Sequence, residues 1–278
     1  MGSSTRRRKE EHVRIALEEA VESGSTGLEC VRLIHQSLPQ LDMEDVDTSV
    51  EVLGKKLRSP LIISAMTGGY EGARRINREL AAAAERHGVG FGLGSMRAMI
   101  EDRSLAPTFD VREVAPDALL LGNIGIPQLR SFEFEEILEA MESIGVDAVA
   151  IHLNALHEVS QPRGEPEFSE GLEKIREFVS QSPFPVIVKE TGAGISMETA
   201  VRLERIGVRW VDVAGLGGTS FPMVESHRAA GESGRRFAES MASWGIPTAA
   251  SVIEVCSKTE MNVIASGGVR SGLEVAKS

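Results

Sequence analysis

Short apolar segments recur along the chain, and they are uniformly apolar rather than alternating with polar residues. Such a run is typical of a parallel strand that is buried on both faces of its sheet. The seven segments are residues 61–66, 89–93, 118–121, 148–153, 185–188, 210–214 and 262–265. The pattern therefore predicts seven strands of one parallel sheet.

Segments with helical periodicity separate most of these strands. Their apolar residues recur every three or four positions, over residues 71–87, 134–144 and 196–206. Ser196 is placed to cap the last of these helices. A glycine follows each of the three, at Gly88, Gly145 and Gly207. This regular alternation of strand and helix predicts an α/β fold.

The ends of the strands distinguish a barrel from an open doubly wound sheet. No G-x-G-x-x-G motif follows the first strand, and polar residues or glycines follow every strand, as in a TIM (β/α)8-type barrel. Residues 61–278 are predicted to form this barrel, with seven strands visible and the eighth missing, because the chain stops inside the helix after the seventh strand.

Residues 1–60 precede the barrel and contain a predicted amphipathic helix over residues 13–23. Such an extension either plugs the bottom of a barrel or closes over its mouth. The residues alone do not decide between these positions; closure of residues 1–60 over the barrel is what the family resemblance given below implies.

Composition limits the classes of partner. The formal net charge is -11, which argues against a general nucleic-acid or anionic-membrane binder. No apolar run is long enough to span a bilayer. The two cysteines, Cys30 and Cys256, lack metal-ligand spacing, which favours free thiols in a reducing cytoplasm.

Two strands end in side chains that suit catalysis or ligand binding. The fourth strand is followed by a compact polar group, His152, Asn154, His157 and Glu158. Lys189 closes the fifth strand, where a buried lysine needs an anionic partner or a shifted pKa. Glu225, beyond the sixth strand, is either an acid/base or a first-turn helix carboxylate.

Glycines and small polar residues end the other strands. Gly267 and Gly268, followed by Arg270, lead into a helix, and backbone amides at a helix N-terminus form an anion site. This is the strongest indication of a phosphate-bearing cofactor. Further candidates, each also compatible with a turn or surface residue, are Thr67, Ser95, Arg97, Asn123, Thr219 and Ser220.

Taken together, these residues resemble the type 2 isopentenyl diphosphate isomerases, which are FMN-dependent barrels. The resemblance covers most of the chain. Its motifs are Arg8-Lys9-Glu10-Glu11-His12, Met66-Thr67-Gly68-Gly69, Gly94-Ser95 with Arg97, His152-Leu153-Asn154, Gln161-Pro162, Val188-Lys189-Glu190, Gly217-Gly218-Thr219-Ser220, Trp244-Gly245-Ile246-Pro247-Thr248 and Ser266-Gly267-Gly268.

The resemblance implies FMN at the barrel mouth. The residues implied to line its ring system and ribityl chain are Ala65, Met66, Thr67, Ser95, Asn123, Lys189, Thr219 and Ser220. Those implied near its phosphate are Gly267, Gly268 and Arg270. Lys189 would stabilise negative charge on the reduced flavin.

The implied reaction is a 1,3-allylic proton shift between isopentenyl and dimethylallyl diphosphate, with no net redox change and with NADPH supplying the initial reduction. Glu158 would hold Mg²⁺ against the diphosphate. The implied substrate-binding residues are Arg8, Lys9, Arg97, His152, Asn154 and Gln161, and the implied catalytic residues are Lys189, His157 and Glu225. A homo-oligomer, tetramer or octamer, is also implied.

Two residues depart from the family pattern. His157 and Met96 both stand where the family usually has glutamine. Histidine is bulkier than glutamine and can carry charge beside a reacting alkene. Two alternatives therefore stay open: another FMN-dependent barrel oxidoreductase, such as one acting on 2-hydroxy acids, and a degenerate relative without catalytic activity.

Overall fold

A computed structural model of the chain describes residues 2–162 and 164–278. Its strands, in chain order, are β1 (Val50–Val52), β2 (Lys55–Leu57), β3 (Ile62–Ile63), β4 (Gly90–Gly92), β5 (Leu120–Gly125), β6 (Ala148–His152), β7 (Val186–Lys189), β8 (Trp210–Asp212) and β9 (Asn262–Ile264). Strands β3 to β9 form one parallel sheet in that order. The predicted seven-stranded β/α arrangement is confirmed.

The helices are α1 (Gly2–Glu18), α2 (Glu71–His87), α3 (Arg97–Glu101), α4 (Gln128–Ser131), α5 (Phe134–Ile144), α6 (Ala155–Ser160), α7 (Gly171–Gln181), α8 (Met197–Arg205), α9 (Phe221–Ser226), α10 (Glu232–Ser240), α11 (Thr248–Lys258) and α12 (Gly272–Lys277). Three short 3-10 helices lie at Leu28–Cys30, Met43–Asp45 and Arg103–Thr108. None of the described helices is both long and apolar enough to cross a membrane.

The predicted helix signals act as expected at several ends. The Ser196 side chain caps α8 by accepting a hydrogen bond from the Thr199 amide. Gly88 and Gly145 end α2 and α5 in the left-handed conformation, with φ of 62° and 69°. Because that conformation is costly for a residue with a Cβ, glycine is the suitable residue there.

The helix predicted over residues 13–23 is wrong in its bounds, because α1 begins at Gly2 and ends at Glu18. Beyond α1 the chain pairs with the loop after β8 instead. The Ser23 amide donates to the Gly218 carbonyl oxygen at 3.2 Å, and the Ser220 amide donates to that of Val21 at 2.7 Å. In these residues, hydrogen bonds with the loop after β8 take the place of the helical hydrogen bonds that the apolar periodicity predicted.

The sheet is curled, and its strands pack on both faces. Outward side chains such as Phe91, Ile124 and Val188 join the core beneath the helices. Inward side chains such as Leu121 and Ile187 form a second core with Val52 and Leu57 of the β1–β2 hairpin. Alternate residues of a strand point to opposite faces, which produces these two cores. In the part of the chain that the structure describes, nothing pairs with the outer edges of β3 and β9.

The extension therefore reaches both ends of the sheet. The β1–β2 hairpin packs inside its amino end, against Leu119 and Trp210. Helix α1 contacts α3 and α9 at the carboxyl end, where the loops after the strands lie. The sequence left the bottom and the mouth of the barrel as alternative positions for the extension. In the structure, the β1–β2 hairpin lies at the bottom and α1 lies at the mouth.

We expect Leu57→Ala to lower the free energy of unfolding by about 2–5 kcal/mol, because it leaves a cavity in a well-packed core. Leu57 is 2% exposed. Urea denaturation followed by circular dichroism measures the change. The matched control is Lys56→Ala on the exposed face of the same strand, which should alter stability by less than about 0.5 kcal/mol. If the two substitutions lowered the free energy of unfolding equally, the packing of the β1–β2 hairpin inside the sheet would be contradicted.

Candidate active site

A recess open to solvent lies inside the carboxyl end of the curled sheet. Side chains from both edge strands line it, including Ile62 and Ile264, so the sheet curves around it. Its polar lining residues are Ser64, Asn123, Lys189 and Asp212. The amino end of the sheet is filled by the hairpin, so the recess is confined to the mouth.

Lys189 lies at the centre of this polar lining. Its register partners are His152 on β6 and Asp212 on β8. The Lys189 Nζ is 3.8 Å from Asp212 Oδ2 and donates to the Glu190 carbonyl oxygen. Asp212 thus supplies the anionic partner that a lysine at the end of a buried strand requires.

His152 and Asn123 form a hydrogen-bonded pair beside Lys189. The His152 Nδ1 lies 2.7 Å from Asn123 Oδ1. Burial, assisted by the positive charge of Lys189, lowers the pKa of His152 to about 3. The ring is therefore neutral, and with an amide oxygen at Nδ1 it carries its proton on that nitrogen.

The hydroxyl of Thr67 is buried and incompletely satisfied. Thr67 is 3% exposed, and its Oγ1 has no hydrogen bond of standard geometry to any described residue, although the Tyr70 hydroxyl lies near enough to interact with it. Gly94 approaches the Thr67 backbone so closely that a Cβ there would lie 2.6 Å away. Buried hydroxyls are normally satisfied, so this atom indicates a ligand that the protein alone does not provide.

Helix α1 brings a basic edge to the loops after the strands. The Lys9 Nζ donates to the Ser95 carbonyl oxygen at 2.6 Å, and Arg8 donates to Gln161 Oε1 at 3.3 Å. Burial and the neighbouring positive charge of Arg8 lower the pKa of Lys9 to about 7. Burial also lowers the pKa of Arg8.

Glu225 is the anion to which α1 is attached. This fully buried carboxylate lies 2.8 Å from His12 Nε2 and 2.8 Å from His157 Nε2, through the same oxygen. Arg228 donates to the other oxygen at 2.5 Å and to Glu11 at 3.0 Å. Burial would raise the pKa of Glu225, but the hydrogen bonds with His12 and His157 lower it well below its usual value.

Glu158 is surrounded by hydrogen-bond donors. Asn154 Nδ2 donates to its Oε1 at 2.9 Å, while Gln161 Nε2 and the Glu165 amide donate to its Oε2. These three donors fix the orientation of the carboxylate and leave it with acceptor capacity for a further partner. Arg97 lies across the same loop and donates to Glu165 at 2.8 Å. The predicted substrate and metal residues are thus brought together.

The predicted cofactor residues divide into four groups. Ala65, Asn123 and Lys189 line the mouth recess, and Thr67, Ser95 and Ser220 lie in the loops around it. Gly267 and Gly268 pack so tightly on the loop after β8 that a Cβ on either would lie 2.1 Å from a carbonyl oxygen. The three that lie exposed are Met66, Thr219 and Arg270, the last paired with Glu22.

Sequence reasoning missed several residues of the site. Glu190 is buried and accepts hydrogen bonds from three successive amides, those of Thr191, Gly192 and Ala193, at 2.6–2.9 Å. Burial raises the pKa of Glu190, and this effect outweighs the three hydrogen bonds, which act to lower it. A charged residue directly after a buried strand was the available signal. His12 stood in the basic N-terminal motif, but its partner Glu225 lies 213 positions away. The signal for Arg228 was its (i,i+3) spacing from Glu225.

Two comparisons define the class of protein. Residues 16–162 match the family described as FMN-dependent dehydrogenase. A lactate oxidase from Pediococcus acidilactici superposes with a TM-score of 0.61 at 16% identity, covering 99% of this chain and 77% of that one. A soluble mutant of the (S)-mandelate dehydrogenase from Pseudomonas putida gives 0.59 at 19%, covering 98% and 80%. The fold and the family match define an FMN-dependent barrel enzyme.

Relatives with much higher sequence identity show the family to which the chain belongs within this class. An isopentenyl-diphosphate delta-isomerase from Archaeoglobus fulgidus is 50% identical over 276 residues, 99% of this chain and 79% of the relative. One from Pyrococcus furiosus is 46% identical over 286 residues, covering 100% and 73%. The chain belongs to the isopentenyl-diphosphate delta-isomerase family.

We expect Glu225→Gln to lower the free energy of unfolding by about 1–3 kcal/mol, because it removes the charge from the carboxylate shared by His12, His157 and Arg228 and leaves Arg228 with Glu11 alone. Urea denaturation measures the loss. Glu232→Gln, an exposed substitution on α10, is the control and should change stability by less than about 0.5 kcal/mol. A loss of the same small size for Glu225→Gln would show that the cluster does not hold α1 in place.

Proposed function

We propose that the protein interconverts isopentenyl diphosphate and dimethylallyl diphosphate by a 1,3-allylic proton shift that uses reduced FMN and Mg²⁺. The observation that carries this proposal is the position of α1, whose Arg8 and Lys9 lie over a mouth recess lined by Lys189. A basic helix edge beside a recess with both polar and apolar lining suits a small molecule with a charged diphosphate end and an apolar tail.

The residues at the mouth fit FMN. The incompletely satisfied Thr67 hydroxyl, the neutral His152–Asn123 pair and the cationic Lys189 offer a donor, an acceptor and a charge around one recess. When bound and reduced by NADPH, FMN supplies a group that exchanges a proton with an allylic carbon. Lys189 would stabilise negative charge at the edge of the reduced ring, and Gly267 and Gly268 offer backbone amides to the phosphate.

The diphosphate would be held by the cluster between α1 and the loop after β6. Arg8, Lys9 and Arg97 supply positive charge, and His152, Asn154 and Gln161 supply neutral hydrogen-bond donors. Glu158 offers one carboxylate to Mg²⁺, whose other ligands would be diphosphate oxygens and water, as this ion prefers. The charged end thereby positions an isoprenoid tail that has no polar group of its own.

Proton movement on the protein side is assigned to His157 and Glu225. Their nearest atoms lie 2.8 Å apart, within the distance for proton transfer. The Asn154 Oδ1 lies 3.0 Å from His157 Nδ1 and fixes the ring so that Nε2 faces the carboxylate. This arrangement lets a histidine take the place of the glutamine that is usual in the family.

We further propose a homo-oligomer, a tetramer or octamer, in the cytoplasm. Residues 33–46 carry several large apolar side chains in open solvent, among them Ile34, Leu38 and Met43, which are 86%, 78% and 88% exposed. Apolar side chains grouped in this way are typical of an interface between protein chains. The free thiols of Cys30 and Cys256 are exposed, which suits a reducing compartment.

The protein loaded with FMN should convert isopentenyl diphosphate to dimethylallyl diphosphate when NADPH and Mg²⁺ are present, and chelation of Mg²⁺ should abolish the conversion. Gas chromatography of the hydrolysed alcohols measures both compounds. A parallel assay with lactate and mandelate tests the alternative oxidoreductase. Absence of dimethylallyl product from flavin-loaded protein would falsify the proposal, and turnover of a 2-hydroxy acid would support the alternative.

The lowered pKa of Lys9 predicts that kcat/KM depends on pH. With a pKa of about 7 in the free protein, its ammonium is present below that pH and is lost as the pH rises through it. We therefore expect kcat/KM for the diphosphate to fall above about pH 7. In Lys9→Arg, which stays charged, the decline should move to higher pH. An unchanged profile in the variant would assign the decline to another group.

Thr67→Val should weaken FMN binding about 5-fold, because one net hydrogen bond contributes about 1 kcal/mol. The same change should alter the stability of the flavin-free protein by less than about 1 kcal/mol, since the hydroxyl loses only its weak interaction with Tyr70. Fluorescence titration with FMN and thermal melting measure the two quantities. In the control, Thr259→Val, a paired hydroxyl is removed far from the mouth, so stability should fall and FMN affinity should not.

A further inference from the structure

His12, His157 and Glu225 form a group of potential metal ligands distinct from Glu158. One nitrogen of each ring and one carboxylate oxygen all lie within 4.8 Å of one another. The three side chains come from α1, α6 and α9. They are largely buried, with side-chain exposures of 18%, 10% and 0%. Two imidazoles and a carboxylate are a ligand set that proteins use for Zn²⁺ and related ions.

The hydrogen bonds of Asn154 determine which nitrogen of His157 faces Glu225 with a lone pair. Asn154 Nδ2 donates to Glu158, so its Oδ1 is the acceptor that also receives the Thr191 hydroxyl at 3.2 Å. His157 Nδ1 therefore donates to this oxygen, as the outer nitrogen of a metal-bound histidine does. In the neutral ring, Nε2 then carries a lone pair.

That lone pair faces a carboxylate oxygen, which is also an acceptor. Two acceptors 2.8 Å apart require a proton or a metal ion between them. The second imidazole, His12, approaches the same oxygen at 2.8 Å. Ligand atoms around a tetrahedral ion with bonds of about 2.0–2.1 Å lie about 3.3 Å apart. Widening each contact by about 0.5 Å, a small side-chain rotation, would therefore admit an ion.

The charges around the group nearly balance. Arg228 is shared between Glu225 Oε2 and Glu11, and the charge of Arg8 interacts with Glu158 and Glu225. With both rings neutral, these two arginines and three glutamates sum to −1, which a divalent ion would turn to +1. Phe221 stacks on the His157 ring at 4.2 Å and keeps it oriented.

We propose that His12, His157 and Glu225 bind one first-row transition-metal ion of the Zn²⁺ class, with water in the fourth position. Nitrogen ligands favour such an ion over Mg²⁺, which prefers oxygen. The ion joins α1 to the two helices beneath it, so it holds Arg8 and Lys9 over the mouth. The inference concerns binding alone. An ion here would occupy the His157 Nε2 lone pair, so the metal-bound state and proton transfer between His157 and Glu225 are alternative states of the same atoms.

Metal binding to the full chain, stripped with chelator and free of FMN and substrate, tests the proposal. Co²⁺ should bind with one equivalent and give visible d–d absorption, and Zn²⁺ should displace it. Millimolar Mg²⁺ should not. His157→Gln keeps a polar side chain but loses the imidazole, and should weaken Co²⁺ binding more than about 100-fold, since loss of an outer hydrogen-bond partner alone costs 10–100-fold.

The matched control is His227→Gln, which removes an exposed histidine two positions from Glu225. It should bind Co²⁺ like the unaltered chain. His12→Gln repeats the test from α1, so a folding defect in one variant does not decide the outcome. Equal Co²⁺ binding by His157→Gln and the unaltered chain, displacement by Mg²⁺, or no binding at one equivalent would each overturn the proposal.

Limited proteolysis tests whether the metal ion links α1 to the barrel. Trypsin cleaves after the basic residues at positions 6–9, and Arg7 there is exposed. Zn²⁺ should slow cleavage at these sites in the unaltered chain and in His227→Gln, but not in His157→Gln. Protection in all three proteins would mean that the ion acts elsewhere, and protection in none would mean that it does not join α1 to the barrel.

Discussion

Parallel register across three neighbouring strands is the constraint on which the site depends. His152, Lys189 and Asp212 are consecutive register partners on β6, β7 and β8, so their side chains form one row at the mouth. The row is charged and nearly enclosed, and it is stable because Asp212 lies beside Lys189 and His152 stays neutral. A shift of one residue in any strand would turn its polar group into the outer core.

The second determinant is the attachment of α1. This helix carries little apolar surface, with Ile15 as its buried residue, so polar contacts hold most of its length. In the middle of the helix, Glu225 contacts His12, together with His157 and Arg228, and one turn earlier Lys9 donates to the Ser95 carbonyl oxygen. Because these contacts are ionic or hydrogen-bonded, we expect the position of α1 to be more sensitive to pH and ionic strength than an apolar interface would be.

Much of the barrel was predictable because its signals are local. Uniformly apolar runs located all seven strands, and periodicity with terminal glycines located α2 and α5 within their bounds. The hairpin of residues 50–57 was not predicted, since its short strands alternate weakly and pack only once the sheet curls. Helix α1 was predicted too short and too late, because its basic first half has no apolar stripe and contacts polar groups distant in sequence.

The sequence by itself determined the order of strands and helices, the polar residues that follow each strand, and the family to which the chain belongs. Tertiary structure alone decided which of those polar groups meet. His12 and Glu225 are 213 positions apart, and Arg8 and Gln161 are 153 apart. Hydrophobic periodicity arises from neighbours one or two turns away, whereas these contacts exist only after the chain has closed around its core. The same closure turned His157 from an unusual residue in a familiar motif into a partner of Glu225.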